Sequence, residues 1–396
     1  MTEKRTFEST HPHLRFSADL RNAPATFWIT LGECQSKCEH IARGPLRPQT
    51  AKELYKLYLA KGVLGTTAIE GNTLTEDEVL QHLAGELKLP PSREYLRHEI
   101  DNIIFACNHI LESIKSGEVP QMTVEMVCGL NEMVLRNLKL GDDITPGQMR
   151  RQSVTVGRYR GAPVEDCEHL LDRLCRWLSG ADLSSRAGLG IANAILKAAL
   201  AHLYIAWIHP LGDGNGRTAR LLEFQILISS GVPAASAHLL SNHYNQTRSE
   251  YYRQLDQAST SGEVVPFLTY AVQGFLDGLS SQLEIIWKQQ WDITWDNYVH
   301  EFFRDKDSGA DRRRRHLVLD LSFQEKPVPL SALPGISPRL AGAYATKNRR
   351  TLARDVNFLC KAGLIEKTEN GYRARKELIL AFLSPRLAVR AANGEK

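Results

Sequence analysis

The chain has 396 residues, more than a single hydrophobic core usually supports, so two or three domains are expected. Its composition is that of a globular protein, and its seven scattered cysteines exclude a disulfide framework. The net charge of +4 is unevenly distributed, because residues 304–396 hold 20 basic and 10 acidic side chains. This asymmetry is typical of nucleic-acid contact and also of a plain solvated surface.

Several features exclude a membrane or secreted protein at the level of the sequence. The most apolar stretch, residues 192–210, contains Lys197 and His202 and ends at a proline, which favours a buried helix over a membrane span. The first sixteen residues lack the apolar centre of a secretory signal, so a cytoplasmic protein is expected. Cys34, Cys38 and His40 are close enough for a metal site, but buried helical cysteines are the favoured interpretation.

Apolar spacing near 3.6 residues dominates, which predicts a mostly α-helical fold. The predicted helices before residue 260 are 48–64, 76–87, 92–116, 123–138, 163–178, 189–207, 218–230 and 247–258. Thr75 and Glu78 have the spacing of a capping box at the start of the second helix. Residues 151–161 alternate short apolar and polar side chains around Gly157, which indicates a small β-hairpin.

The basic C-terminal part follows a long predicted helix, residues 264–299. Three short helices and a hairpin with an Asn370-Gly371 turn are expected there, in the order of a winged helix-turn-helix. Residues 346–361 would be the recognition helix. The predicted domains are an N-terminal helical region, 1–115, a core, 116–295, and a linker helix with the winged helix, 296–396.

One segment, IHPLGDGNGRTARLLEF at residues 208–224, predicts an anion-binding loop. Pro210 disfavours helical geometry at His209, so the preceding helix should end there with the imidazole at the mouth of a loop. Glycines at 212, 214 and 216 let main-chain N–H groups approach an anion closely. The helix that follows adds the partial positive charge of its N-terminus, so the loop suits a phosphate.

The other side chains of this segment have complementary roles in phosphate chemistry. Asp213 suits a hydrated Mg²⁺ that bridges phosphate oxygens. Arg217 and Arg220 are three residues apart on a helix, where two guanidinium groups can bind phosphate together. Asn215 supplies an amide donor. His209 titrates near neutrality, so it can accept a proton from an attacking hydroxyl.

The sequence HPLGDGNGRTAR resembles the signature of the Fic family, with Leu211 where the family favours Phe. The resemblance covers roughly residues 64–275 and implies a Fic-fold helical core that transfers AMP from ATP to a Ser, Thr or Tyr hydroxyl of a protein. It implies His209 as base and Asp213 on Mg²⁺. It also assigns the phosphates to a further group of residues, Gly212, Gly214, Asn215, Gly216, Arg217 and Arg220. The hairpin residues Val154, Thr155 and Val156 resemble the flap that aligns a target segment by strand pairing.

A second motif, TTAIEGN at residues 66–72, resembles the inhibitory motif of the same family. From the residues alone, Glu70 in the last turn of a helix is an exposed carboxylate with a loose lysine partner. The resemblance implies instead that the Thr66, Glu70 and Gly71 segment restrains the enzyme, with Glu70 paired to Arg220 in the space of the ATP γ-phosphate. Self-modification, removal of AMP and homodimers that modulate this helix are further implications.

Two alternatives stay open at this stage. The resemblance implies that Tyr252 stacks near adenine, but Ser259 stands where relatives often have Asn, so the choice of nucleotide stays open. A Fic enzyme that moves another phosphate-containing group would share the same loop chemistry. A DNA-binding regulator is the rival class, with the Fic site as a sensor or vestigial; without DNA contact the winged helix would instead be a protein-interaction module. Lys347, Arg349, Arg350 and Arg354 favour it, whereas Asp355 and Glu366 dilute the positive charge.

Overall fold

The computed structural model describes residues 5–118, 121–180 and 188–380. The chain divides into two compact units, Met1–Glu284 and Ile285–Lys396. Helix α12, Val265–Phe302, runs through the division between them. The three-part division predicted from the sequence stays a prediction.

The first unit is almost entirely helical among its described residues. Its helices are α1 Thr6–Thr10, α2 Ala25–Arg43, α3 Pro48–Ala68, α4 Glu76–Ala84, α5 Glu94–Lys115, α6 Val124–Leu135, α7 Cys167–Ser179, α8 Gly190–Ile208, α9 Asn215–Ser229, α10 Leu239–Gln246 and α11 Arg248–Ser261. The mostly helical prediction is therefore confirmed. The predicted capping box is also present, because Thr75 accepts from the N–H of Glu78 and Glu78 accepts from the N–H of Thr75.

Helix α8 forms the centre of this unit and is packed on nearly all sides, with α9 against it. It is apolar and long enough to cross a membrane, but 83% of its most apolar window is buried inside the protein, as in a core helix. Helix α2, which the periodicity argument missed, packs on α8 and buries Cys34 and Cys38 completely. The two cysteines are thus core residues, as the favoured interpretation held.

Helix α3 carries the TTAIEGN motif at its C-terminal end and is held against α10 by small residues. At Gly65 a Cβ would lie 2.6 Å from the carbonyl oxygen of Ser241, and at Gly62 it would collide with the ring of His238. Gly65 therefore lets the backbones of α3 and α10 approach closely, whereas Gly62 leaves room for the His238 ring.

The predicted hairpin between α6 and α7 is present. Strands β1, Thr155–Val156, and β2, Tyr159–Arg160, pair antiparallel around a turn at Gly157, which has φ +59°. Val154 closes the hairpin by accepting from the N–H of Gly161. Thr155 and Val156 are exposed, so their strand edge is accessible to solvent.

In the described part of the second unit, the end of α12 is followed by three further helices and a hairpin, in the predicted order. They are α13 Gly309–Leu321, α14 Pro338–Tyr344 and α15 Arg349–Lys361, then β3 Ile365–Thr368 and β4 Gly371–Ala374. The core of the unit is formed by residues of α12 through β4, among them Trp295, Leu317 and Leu359.

The hairpin turn differs from the predicted Asn370-Gly371. The turn residues are Glu369 and Asn370, and Gly371 is the first residue of β4, paired with Thr368. Gly371 has φ +142°, and a Cβ there would collide with the backbone of Val328. Gly371 therefore allows β4 to lie close to the segment at Val328, and the turn comes one residue earlier than predicted.

Candidate active site

His209 ends α8 in a left-handed conformation, φ 50° and ψ 56°, which is uncommon for a residue other than glycine. The backbone is held there by Arg150, whose Nε donates to the His209 carbonyl at 2.7 Å. The same buried guanidinium also donates to the carbonyls of Gln152 and Ala162. Arg150 thus joins the end of α8 to both ends of the hairpin, and orients the imidazole relative to it.

The glycine loop leads directly into α9, which begins at Asn215, three residues before the predicted start. Gly214 precedes the helix with φ +73°. The side chain of Asn215 accepts from the N–H of Leu211 at 3.0 Å and donates to its carbonyl at 2.8 Å. These paired bonds start the helix early. They also use the Asn215 amide to brace the loop, so its contact with phosphate stays a prediction.

Asn131 on α6 supports the loop from below. Its amide donates to the Asp213 carbonyl at 2.9 Å and to the Thr218 hydroxyl at 3.1 Å, and its oxygen accepts from the N–H of Gly147. Asn131 is 1% exposed, so these bonds are shielded from water. The loop is therefore rigid before any ligand arrives.

Arg217, in the first turn of α9, lies between two carboxylates. Its guanidinium donates to Asp213 at 3.1 Å and lies 3.5 Å from Glu99 of α5. Glu99 also accepts from the amide of Asn72, the last residue of the TTAIEGN motif. This series of contacts connects the glycine loop to the segment that follows α3.

Glu70 reaches the same region from the end of α3. Helix α3 ends at Ala68, so Glu70 stands in the turn after the helix rather than in its last turn. Its carboxylate accepts from Nη2 of Arg220 at 2.5 Å, and the same nitrogen donates to the Thr66 carbonyl at 2.9 Å. A Cβ at residue 216 would collide with the Glu70 carboxylate, so Glu70 can occupy this place only because residue 216 is glycine.

The charges of this contact are strongly coupled. Burial alone would raise the pKa of Glu70, but the charge and hydrogen bond of Arg220 hold that pKa below its usual range. Arg220 is completely buried, whereas the Glu70 side chain is 33% exposed. A buried guanidinium needs a negative partner, and Glu70 supplies it. The expected pairing with an unspecified lysine is therefore wrong, and the pairing with Arg220 is what the structure has.

The imidazole of His209 is uncharged at neutral pH. Burial, followed by the positive charge of Arg150, lowers its pKa to about 4. A neutral ring has a lone pair available, so it can accept a proton.

A cavity of about 760 Å³ lies above these groups. Its lining includes Glu70, His209 and Gly216, the turn of the hairpin, and Tyr252, Asp256 and Ser259 of α11. Tyr252 is 45% exposed, and its hydroxyl donates to the carbonyl of Ile69 at 3.3 Å. The cavity therefore combines charged, aromatic and polar groups, as a phosphorylated ligand with an aromatic base requires.

Asp213 is the carboxylate of this site that suits a divalent cation. Its side chain is 42% exposed beside the loop. Within the described residues, no three His, Cys, Asp or Glu side chains are grouped for a metal. Mg²⁺ commonly uses one or two carboxylates together with substrate phosphates and water, so a single exposed Asp fits it.

The structure brings together His209, Asp213, the loop glycines, Arg217, Arg220 and Glu70, and it places Tyr252 and the hairpin on the same cavity. Sequence reasoning missed Arg150, Asn131 and Glu99. Arg150 lies beside the predicted hairpin, but its contacts are with carbonyls distant in sequence, so no local pattern indicates them. Asn131 and Glu99 lie in helices where a single polar residue gives no signal.

Residues 121–227 match the model of the Fic/DOC family. The chain is 30% identical over 245 residues to the protein adenylyltransferase fic-1 of Caenorhabditis briggsae, covering 62% of this chain and 44% of that protein. The chain thus spans less than half the length of this curated relative.

Two solved structures share the fold. A Fic family protein from Desulfovibrio desulfuricans G20 is 18% identical with a TM-score of 0.54, covering 88% of this chain and 94% of that one. Fic-1, residues 134–508, from Caenorhabditis elegans is 26% identical with a TM-score of 0.54, covering 67% of this chain and 74% of that one.

Proposed function

We propose that the chain, whose residues 121–227 match the Fic/DOC family model, transfers AMP from ATP to a hydroxyl side chain of a protein, with Glu70 restraining the reaction. The observation that supports this most strongly is the set of side chains at the cavity. His209, with its neutral imidazole, lines it together with Gly216 and Glu70, and the Glu70 carboxylate is bonded to the buried Arg220.

His209 acts as the general base in the proposed reaction. Its neutral imidazole removes the proton from a Ser, Thr or Tyr hydroxyl, whose oxygen then attacks the α-phosphorus of ATP. The bond from the α-phosphorus to the bridging oxygen breaks, and pyrophosphate leaves. The hairpin strand edge, with exposed Thr155 and Val156, is suited to hold the target segment in extended form.

The loop and α9 stabilise the negative charge in this step. The N–H groups at the start of α9 point toward the loop, and Arg217 and Arg220 provide the positive charge for the outer phosphates. Asp213 would hold Mg²⁺, which when bound neutralises charge on the phosphate oxygens. Arg217 would then release the Asp213 carboxylate and bind a phosphate instead.

Glu70 restrains the reaction because it uses the same guanidinium. While Glu70 is bonded to Arg220, an outer phosphate cannot make that contact, and two negative groups cannot share the space next to Gly216. ATP therefore has to displace Glu70 or bind with its phosphates misplaced. A variant without this carboxylate should be more active.

The experiment uses ATP labelled at the α-phosphate with the full chain as its own acceptor and with candidate protein substrates. Glu70→Gly should incorporate at least about tenfold more label than the unmodified chain, since the carboxylate and the outer phosphate compete. The matched control is Glu94→Gly, because Glu94 pairs with Arg97 on α5 outside the cavity lining and should leave labelling unchanged. Equal labelling by the unmodified chain and Glu70→Gly would contradict the restraint.

A second candidate function, DNA binding by a winged helix in the second unit, is favoured by the exposed face of α15. Lys347, Arg349, Arg350 and Arg354 are all exposed, and none of them pairs with an acidic side chain in the described part of the chain. Asp355 is 1% exposed, so it does not dilute that face as the sequence suggested.

Its test is the salt dependence of binding to duplex DNA. Contacts with phosphates release counterions, so the logarithm of the binding constant should fall linearly with the logarithm of salt concentration. Replacing Arg349, Arg350 and Arg354 by Gln should reduce that slope by about 3. No measurable binding at low salt would rule this function out.

A further inference from the structure

The Glu70 turn, residues 69–72, lies at the negative end of a helix that has no cation of its own there. Peptide dipoles give the C-terminus of an α-helix a partial negative charge, which favours a nearby cation and disfavours a carboxylate. The last turn of α3 contains no basic residue, and Glu70 is the second residue after the helix. The Glu70 turn therefore needs positive charge from other elements.

Arg248, the first residue of α11, brings positive charge to this turn from outside the cavity. Its Nη1 donates to the carbonyl of Ala68 at 3.1 Å, and its Nη2 donates to the carbonyl of Ile69 at 2.5 Å. A guanidinium in this place both bonds the last carbonyls of a helix and offsets the helix dipole. Arg248 is exposed and does not line the cavity, so it acts on α3 without contacting a ligand there.

The chain after Glu70 is anchored separately, to α5. The amide of Asn72 donates to the carbonyl of Leu96 at 2.9 Å and to the carboxylate of Glu99 at 2.8 Å. Asn72 is 5% exposed, so these bonds are shielded from water. Glu70 thus stands between a buried anchor on α5, which follows it in the chain, and Arg248, which holds the residues before it.

The two arginines that hold this region differ in what else they can bind. Arg220 is buried and donates both to the Thr66 carbonyl and to the Glu70 carboxylate, and it is the arginine proposed to bind an outer phosphate. Arg248 bonds only main-chain carbonyls of α3 and its C-cap among the described residues. Loss of Arg248 would therefore loosen the turn and leave the phosphate-binding guanidinium in place.

We propose that Arg248 is a positioning residue for the Glu70 turn and sets how strongly Glu70 competes for Arg220. The role of Arg248 rests on the proposed function, because it concerns the restraint on AMP transfer. With Arg248 in place, the carbonyls before Glu70 stay fixed and the carboxylate is held against Arg220. Without it, an outer phosphate displaces the carboxylate more easily. The hydroxyl of Tyr252 also donates to the Ile69 carbonyl, so the release is partial.

The first test measures incorporation of α-labelled AMP by Arg248→Gln in two backgrounds. In the chain that retains Glu70, labelling should rise about two- to fivefold, less than in Glu70→Gly, because an exposed cation interacts weakly with a helix end. In the Glu70→Gly background the same change should alter labelling by less than about 1.5-fold, since the restraint is already absent. Arg248→Lys retains the charge and should give an intermediate rise.

The sign of the effect separates positioning from a purely structural role. A contact that only stabilised the fold would, when removed, lower labelling or leave it unchanged. Arg15→Gln is the matched control, because Arg15 is also an exposed arginine that donates to a main-chain carbonyl, that of Pro12, outside the cavity lining. It should leave labelling unchanged in both backgrounds. No rise for Arg248→Gln, or an equal rise with and without Glu70, would overturn the proposal.

The second test needs no nucleotide and follows amide hydrogen exchange in the full chain. The N–H groups of residues 70–72 donate to carbonyls in the last turn of α3. They should exchange about two- to fivefold faster in Arg248→Gln and at the original rate in Arg15→Gln. Unchanged exchange in Arg248→Gln would also overturn the proposal. Absence of labelling in every variant, Glu70→Gly included, would contradict the AMP transfer, and the role of Arg248 would then be judged on hydrogen exchange.

Discussion

The arginines of the two units are used in opposite ways. In the first unit, Arg217 and Arg220 are buried, and each is bonded to a carboxylate from another part of the chain or the adjoining loop. In the second unit, Arg349, Arg350 and Arg354 of α15 are exposed and make no ion pair within the described residues. Both sets carry positive charge at or near the start of a helix.

The difference determines what each surface can do. A buried arginine holds its ligand strongly and in one geometry, so a carboxylate that binds it first acts as a competitor. An exposed arginine interacts weakly and is screened by salt, so it suits a diffuse polyanion. The difference predicts large effects of substitutions at the buried site and small effects of substitutions at exposed arginines.

Removal of the base should have the largest effect. In the Glu70→Gly background, His209→Ala should reduce labelling by about 10²- to 10⁴-fold, the usual contribution of a general base. Incorporation of α-labelled AMP measures it. His300→Ala, which changes a histidine in α12 and not in the cavity lining, is the control and should keep full activity.

Replacing the buried Arg220 should have the next largest effect on labelling. Arg220→Lys retains the charge but loses the planar donor pair, so labelling in the Glu70→Gly background should fall about 10- to 100-fold. Arg21→Lys, at an exposed pair with Asp19 outside the cavity lining, should change it less than about twofold. Similar losses for the two lysine variants would contradict the distinction between buried and exposed guanidinium groups.

The pH dependence should reflect the burial of His209. Because its pKa is lowered to about 4, the acid limb of kcat/KM for Glu70→Gly should lie well below the ordinary histidine range. The negative charge of Glu70 raises the pKa of His209, so removing Glu70 moves the acid limb further toward acid.

The ion pair between Glu70 and Arg220 affects the stability of the protein. Its stabilisation is present above the ordinary glutamate pKa range and is lost as pH falls through the lowered pKa of Glu70.

Stability in the second unit should give the smallest effects. Asp355 is 1% exposed and accepts from Arg313, Arg314 and Tyr344, so Asp355→Asn should lower the free energy of unfolding by about 2–3 kcal/mol. Replacing Arg349, Arg350 and Arg354 by Gln should change it by less than about 0.5 kcal/mol. Denaturant unfolding compares the two. A large loss in the triple variant would show that its arginines are structural.

The sequence predicted the helices and the site unequally. Periodicity located α3 to α9 and α11, and the residue types that follow one another in the glycine loop and its arginines predicted an anion-binding site. Periodicity missed α1 and α10, which are short, and α2, whose apolar positions are interrupted by polar ones. The predicted start of α9 was three residues late, because the Asn215 bonds that begin the helix are not a propensity. The contacts of Arg150 join distant segments, which no local pattern carries.

The central claim is that Glu70 occupies the place of an outer phosphate at Arg220. Calorimetric titration of ATP and of AMP into the unmodified chain and Glu70→Gly tests it directly, because only ATP has outer phosphates. Loss of Glu70 should tighten ATP binding by at least about tenfold and leave AMP binding unchanged. Equal changes for ATP and AMP, or no change for either, would contradict the account.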